Sequence, residues 1–370
     1  MVYSRLVRPS RHARQGAAPA IVWLRHDLRL ADNPALEAAC RRGGPVVPVF
    51  IWAPEEEGTW SPGSASRWWL HQSLEQLVAA FDAAGSELVI RRGSCLTELQ
   101  RVAGATGADA VFWNRRYEPA SIARDRQVEE ALRAAGLHTQ SCNAALLYEP
   151  GTIHNKAGRP FQVFTPFWRT CLALTEPGEL LPTPRKLTPP VRRPASLPLM
   201  VLGLETIHNW TDGLRATWRP GSEGANAELQ RFLHDGVLTY DEGRNRPDLV
   251  GTSRLSPHLH FGEISPRQVW QGVRRFAESK SIPAAVWRNC QFLTELGWRE
   301  FAHQLLLHCP HTPEQPLRPD FARFPWRKNA AWLRAWQRGR TGYPLVDAGM
   351  RELWSTGWTH NRVRMVVASF

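Results

Sequence analysis

Between Ala20 and Ser141 short apolar runs alternate with segments whose apolar positions recur at helical spacing. Ile21-Val22-Trp23-Leu24 is the first run. Asn33-Pro34 then opens a helix predicted to reach Arg42, with Asn as its cap and proline at the first helical position, where a missing N–H costs nothing. A second run spans Val46 to Trp52. The alternation continues through a helix over Ser64–Ala84, a strand over Leu88–Arg91, a helix over Leu96–Ala103, a strand over Ala110–Trp113, a helix over Ala120–Ala135 and a strand over His138–Ser141. Five strands separated by helices predict a doubly wound parallel α/β sheet, the fold whose ligands sit at the carboxyl ends of the strands.

Seven prolines between Pro177 and Pro198 forbid helix or central strand there and predict a long connector across a surface. After Pro220 the period becomes helical: Asn226–Leu238, Pro266–Phe276, Ala284–Leu307, Ala330–Gln337, Leu345–Leu353 and an apolar run from Val363 to Phe370. The chain thus divides into a basic extension (1–19), an α/β domain (20–150), a connector (151–220) and an all-α domain (221–370).

Composition narrows the chemistry. The 370 residues, 43% hydrophobic, are ample for cores and exclude a disulfide miniprotein or a disordered tail. No apolar run approaches the roughly 18 to 20 residues of a membrane span. Six cysteines without CxxC or a Cys/His cluster argue against a metal centre and for reduced thiols in the cytoplasm. Neither GxGxxG after the first strand nor a Walker-type phosphate loop is present. The net charge of +12 rests almost wholly on arginine, since only Lys156, Lys186, Lys280 and Lys328 are lysines; the excess suits a polyanion, and a GC-rich coding sequence would produce the same skew. Seventeen tryptophans suit core packing, stacking on unpaired bases, or electron hopping.

Some segments carry candidate chemistry. Thr252-Ser253-Arg254-Leu255-Ser256 offers three hydroxyls, a guanidinium and backbone N–H groups suited to a pyrophosphate, and equally forms an ordinary capped turn. Glu295 and Arg299 stand at i,i+4, as a surface ion pair would. Asn361 and Arg364 lie one turn apart on one face.

Four segments together resemble the photolyase/cryptochrome family: Arg25-His26-Asp27-Leu28-Arg29-Leu30-Ala31-Asp32-Asn33, Gly251 to Pro257, Glu295 to Phe301, and Gly339 to Met365. The resemblance covers Ala20 to Phe370. It implies an α/β antenna domain and a helical domain holding flavin adenine dinucleotide (FAD). By that resemblance Thr252, Ser253, Arg254, Leu255 and Ser256 form the phosphate clamp, and Tyr240, Phe292, Glu295, Arg299, Asn361 and Arg364 face the flavin. Phe292 stands where many relatives have Trp. Glu295 matches the carboxylate touching both flavin adenine and the lesion; protonated in a closed pocket, it would hydrogen-bond a pyrimidine carbonyl. Trp298 resembles the indole on which a flipped pyrimidine dimer packs, Asn361 shares that pocket, and Arg244 and Arg362 resemble contacts to DNA phosphates. Trp326 matches the outer tryptophan of the family's electron chain.

Within the family, Trp52 to Gly58 and Ser66 to Leu70 are similar to plant cryptochromes, which usually lose the equivalents of Glu295, Trp298 and Met365. Their retention implies repair, and Asn361 with Met365 in place of histidines implies cyclobutane dimers rather than 6-4 photoproducts. Asn114, Tyr117 and Glu118 fall where relatives contact a folate, implying 5,10-methenyltetrahydrofolate as antenna, although the lysine that helps some relatives bind folate has no counterpart near Pro313. Thr359 stands where relatives usually have Met. The family continues past Phe370 with helices carrying two acidic flavin contacts, an asparagine beside flavin N5 and two inner tryptophans; the chain is therefore expected to be a C-terminally truncated member holding FAD weakly. The expectation is a monomeric, light-driven deoxyribodipyrimidine photo-lyase acting on DNA that contains cyclobutane pyrimidine dimers. The alternatives are a blue-light receptor acting through protein binding, and an inactive fragment.

Overall fold

The computed structural model describes residues 17–174, 176–205 and 210–370. The basic extension therefore lies outside the described residues except for its last three.

The first domain runs β1 (Ala20–Leu24), α1 (Pro34–Cys40), β2 (Val46–Trp52), α2 (Ser64–Ala83), β3 (Val89–Arg92), α3 (Cys95–Thr106), β4 (Ala110–Asn114), α4 (Pro119–Ala134) and β5 (His138–Cys142). All strands are parallel in the order β3-β2-β1-β4-β5. The two-residue period sends Ala20, Val22 and Leu24 into one core with α1 and α2, and Ile21 and Trp23 into the other with α3 and α4. Pro48 is tolerated inside β2 because β3 joins that strand only from Val49 onward. Asn33 caps α1 as its sequence predicts, accepting from the Leu36 N–H at 3.1 Å.

The connector does cross a surface, where it seals the β3 edge: the Leu197 N–H donates to Ile90 O at 2.9 Å, and Ser196 Oγ accepts from the Ile90 N–H at 3.0 Å. Residues 151–220 do not form a separate unit. Phe164, Phe167, Trp168 and Cys171 of α5 (Phe164–Ala173) pack into the helical core, whereas Leu187, Leu202 and Leu204 pack into the sheet domain.

The helical half comprises α6 (Asp212–Thr217), α7 (Ser222–Asp235), α8 (Tyr240–Gly243), α9 (Ser256–His260), α10 (Pro266–Ser279), α11 (Ala284–Trp287), α12 (Gln291–His308), α13 (Ala330–Gln337), α14 (Pro344–Thr356) and α15 (Asn361–Ser369). The single helix expected over Ala284–Leu307 is broken in two. Asn289 turns its amide back onto Ala285 O at 2.8 Å, Arg288 donates to Leu172 O of α5 at 2.8 Å, and Cys290 is extended. The tertiary anchor on α5 redirects the chain so that α12 starts afresh.

The loop after α9 joins the halves. Leu28 N–H donates to Phe261 O at 3.2 Å, and Arg29 donates to Gly262 O at 2.8 Å. Ser265 and Arg267 meet the buried Asp32 carboxylate at 2.5 and 2.8 Å. Glu263, fully buried, accepts from Trp69 Nε1 at 2.8 Å and also bonds Ser73 and His258. Every buried charge at this junction is therefore paired or hydrogen-bonded.

Candidate functional site

Glu295, Trp298 and Arg299 lie in the first turns of α12 and point differently. Glu295 faces the end of α8, where its Oε1 pairs with Arg244 Nη1, and the same oxygen accepts from Gln291 Nε2 of its own helix at 2.7 Å. Trp298 stacks on Phe164 with ring centroids 3.8 Å apart and stays 47% exposed, so one indole face is backed and the other is open. Arg299 turns toward the sheet domain, donating to Ala145 O at 2.5 Å. The i,i+4 pair of Glu295 with Arg299 therefore does not form.

Tyr240 and Phe292 meet across α8 and α12 at 5.5 Å, with Phe232 4.5 Å from Phe292. Phe292 is core, and burial pushes the Tyr240 phenol up to about 12, so it remains a neutral donor. In the 252–256 segment Arg254 takes a left-handed backbone, φ +51°, and Leu255 is buried. That turn aims the Arg254 guanidinium at Trp358, 4.8 Å from the ring centroid, and leaves its Nε buried without a partner. Ser253 Oγ accepts a long bond from the Leu255 N–H at 3.4 Å, and Thr252 O accepts from Arg231 at 3.1 Å. Ser256 begins α9 with its side chain exposed.

The turn between α14 and α15 carries Trp358 and brings α15 beside this loop. His360 Nδ1 caps α15 by accepting from the Arg362 N–H at 3.2 Å. Asn361, Arg362, Arg364 and Met365 are all exposed. Arg362 donates to Asn245 Oδ1 at 2.7 Å and approaches Met365 Sδ at 3.7 Å, while the Arg364 guanidinium makes, among the described residues, a single 3.4 Å contact to Thr359 O. Trp326 is 80% exposed against Phe324, away from any core.

The hydroxyls at 252–256, an unpartnered Arg254 Nε and the exposed Arg364 are candidate donors for an anion, while Tyr240 packs on the buried Phe292. Those donors fit a dinucleotide pyrophosphate.

A second site lies at the carboxyl ends of β1 and β4, where strand order reverses. A cavity of about 880 Å³ opens there between the two halves, lined by Trp23, Arg25, Trp52, Glu118, His260 and Pro313 among others. Trp23 Nε1, Arg25 Nε and Ser121 Oγ are buried at its lining without partners. A smaller polar cavity adjoins it, bounded by His26, Glu118, His260, Arg299 and His303. Burial alone would raise Glu118, but Arg116 beside it brings the carboxyl down to about 2. Burial and Arg299 push His303 down to about 4. Tyr117 bonds Glu149 at 3.3 Å. Both amide N–H donors of Asn114 are spent, on Asp27 and Asn33 at 2.6 and 2.7 Å, while its Oδ1 accepts from the Ala35 N–H at 3.2 Å and keeps one lone pair.

Sequence reasoning missed Gln291 and Asn245, the direct partners of Glu295 and Arg362. Gln291 was detectable, being one helical turn before Glu295.

Comparisons with known proteins agree with this geometry. The model for DNA photolyase matches residues 20–188, and that for the FAD binding domain of DNA photolyase matches 292–370. A deoxyribodipyrimidine photo-lyase of Agrobacterium fabrum is 43% identical over 95% of this chain and 72% of its own length. Cryptochrome-1 of Arabidopsis thaliana is 41% identical over 95% of this chain, which spans about half (52%) of that relative. The crystal structure of a bacterial class III photolyase from Agrobacterium tumefaciens has a TM-score of 0.90 at 43% identity, covering 98% of this chain and 74% of that one. A parallel sheet domain joined to a helical FAD-binding domain, in relatives this similar, places the chain in the photolyase/cryptochrome family.

Proposed function

We propose that the chain is a light-dependent DNA repair lyase of the deoxyribodipyrimidine photo-lyase type, acting on cyclobutane pyrimidine dimers. The observation carrying this reading is Trp298, stacked on Phe164 with its other face open, one helical turn from the clamped Glu295. Thr252, Ser253, Arg254, Ser256 and Arg364 would hold the FAD pyrophosphate, with Tyr240, Phe292 and Asn361 along the ring system. Reduced FAD, when bound, supplies one electron on excitation and takes it back after the cyclobutane ring opens. Trp298 offers its free face to the extruded dimer, whose weakened stacking lowers the cost of flipping. Glu295 meets the edge of the base, and the exposed Arg362 suits a backbone phosphate. Trp326, open to solvent, suits the outer end of an electron relay.

The large cavity at the strand ends is the place for an antenna, read here as 5,10-methenyltetrahydrofolate. Trp23, Arg25 and Ser121 offer it unspent hydrogen-bonding atoms, and Glu118 borders it. Six free cysteines and the absence, among the described residues, of any helix long and apolar enough to cross a membrane support a cytoplasmic reading. A blue-light receptor is the second reading, favoured by the 41% identity to Arabidopsis cryptochrome-1. Blue light on flavin-loaded protein with ultraviolet-damaged oligonucleotides, followed by chromatography, separates the outcomes. Cyclobutane dimers should return to thymines while 6-4 photoproducts persist; repair of the 6-4 product alone overturns the assignment, and no repair favours the receptor.

A further inference from the structure

We infer that Trp218 is a positioning residue for the turn at 252–256: it seats the Arg254 guanidinium and fixes the opposite wall of that seat, so that the core of the sheet domain shapes the turn. That the turn serves FAD rests on the flavin reading; the seat itself does not.

Arg254 holds a left-handed backbone, φ +51°, which a residue with a Cβ keeps only where its surroundings impose it. Two indoles supply that constraint. The guanidinium carbon lies 4.8 Å from the Trp358 ring centroid and 6.0 Å from that of Trp218, both within the reach of cation–π attraction. Among the described residues no hydrogen bond or ion pair reaches the Arg254 side chain, and its Nε is buried without a partner, so the rings are what hold it.

Trp218 acts on both walls. It is 7% exposed, at the end of α6, and its indole N–H donates to Thr356 O at 2.7 Å. Thr356 Oγ1 in turn accepts from the Trp358 N–H at 3.2 Å and donates to Trp358 O at 3.0 Å. The hydrogen bond from Trp218 therefore secures the residue that fixes Trp358. Gly213 makes this approach possible, since a Cβ there would lie 2.0 Å from Ser355 O. On its other side Trp218 meets the Trp69 ring at 5.3 Å and that of His258, two residues beyond Ser256, at 6.4 Å. Trp69 is anchored on the buried Glu263 at 2.8 Å, and Trp218 belongs to the same core as Trp68, Trp69 and Phe261 of the domain junction, with Trp358 packed against it. A turn seated in this way keeps one arrangement of its hydroxyls and N–H groups before an anion arrives, which lowers the ordering cost of binding.

Limited trypsinolysis of the flavin-free chain reads the seat directly, because the protease must extract the Arg254 side chain to cut after it. Trp218→Leu should speed that cleavage by about fivefold, the open population gained when one such contact is lost, and leave cleavage after the buried Arg29 unchanged. Equal acceleration at both sites would mean general loosening and overturns the inference. Affinity for FAD, followed by quenching of flavin fluorescence, should fall by about fivefold in Trp218→Leu and in Arg254→Ala, with no further loss when the two are combined. Additive losses would show that Trp218 does not act through Arg254. Trp218→Phe keeps a ring over Arg254 and removes the donor to Thr356 O; it should raise cleavage after Arg254 by about twofold and serves if Trp218→Leu fails to match the parent by circular dichroism. No increase there also overturns the seat. A parent that does not bind FAD overturns the flavin reading and leaves the cleavage pattern to decide the role of Trp218.

Discussion

At the scale of single residues, Trp298 and Glu295 show how one helical turn separates two tasks. Trp298 is backed by Phe164 at 3.8 Å, so its indole is rigid before any base arrives. Stacking a base on such a surface contributes roughly 1 to 3 kcal/mol. Trp298→Ala should therefore weaken binding of dimer-containing DNA by about tenfold or more and leave undamaged duplex nearly unchanged, as measured by parallel titrations of the two duplexes. Equal weakening of both would make that indole ordinary packing. These two residues were legible because they fall in one contiguous segment that resembles the family, whereas helical spacing alone suggested a Glu295–Arg299 pair that does not form. The inward commitment of Arg244 was not, because its partner lies 51 residues away on another helix.

At the scale of elements, the turn after α9 is the most constrained connection. Gly262 has φ +67°, and a Cβ there would lie 2.1 Å from His26 O. Only glycine allows the loop to approach the end of β1 so closely while delivering Phe261, Glu263 and Ser265 into the junction. Gly262→Ala should lower unfolding stability by about 2 kcal/mol or more, through the left-handed backbone and the displaced carbonyl, read as a lower midpoint in urea. The strands and most helices follow the apolar periodicity within a few residues. The break between α11 and α12 escaped it, because the segment is helical in pattern and only the Arg288 anchor on α5 interrupts it.

At the scale of the whole molecule, titratable groups along the domain boundary link folding to pH with opposing signs. His26, His260 and His303 are all lowered by burial, and stability from keeping them neutral grows as pH rises from about 4, where His303 titrates, toward 6.5. Glu300 works against them. Burial raises its carboxyl to about 7, against the ionised form that Arg299 and the Leu147 and Tyr148 N–H groups favour. The native state then holds a proton that the unfolded chain has lost, so stability falls as pH rises from 4.5 to about 7. Glu300→Gln keeps an acceptor for those N–H groups and removes the titration. Its stability relative to the parent should therefore increase from pH 5 to pH 8 in thermal melts at matched ionic strength; a constant difference would show that Glu300 does not titrate in that range.

Periodicity and turn chemistry by themselves determined the sheet domain, its cap at Asn33, the proline-rich connector and the helical texture of the second half. They suffice there because a strand buried on both faces or a capped helix is specified by residues that are neighbours in sequence. The same reading identified the segments resembling the family, since each is a contiguous run. Tertiary structure decided what those side chains meet. It divided the connector between two cores, spent both amide donors of Asn114, turned Arg299 toward Ala145 and Arg244 onto Glu295, and opened the cavity at the ends of β1 and β4. Each of these rests on groups far apart along the chain, and burial forces each buried polar group toward whichever partner the packing brings within reach.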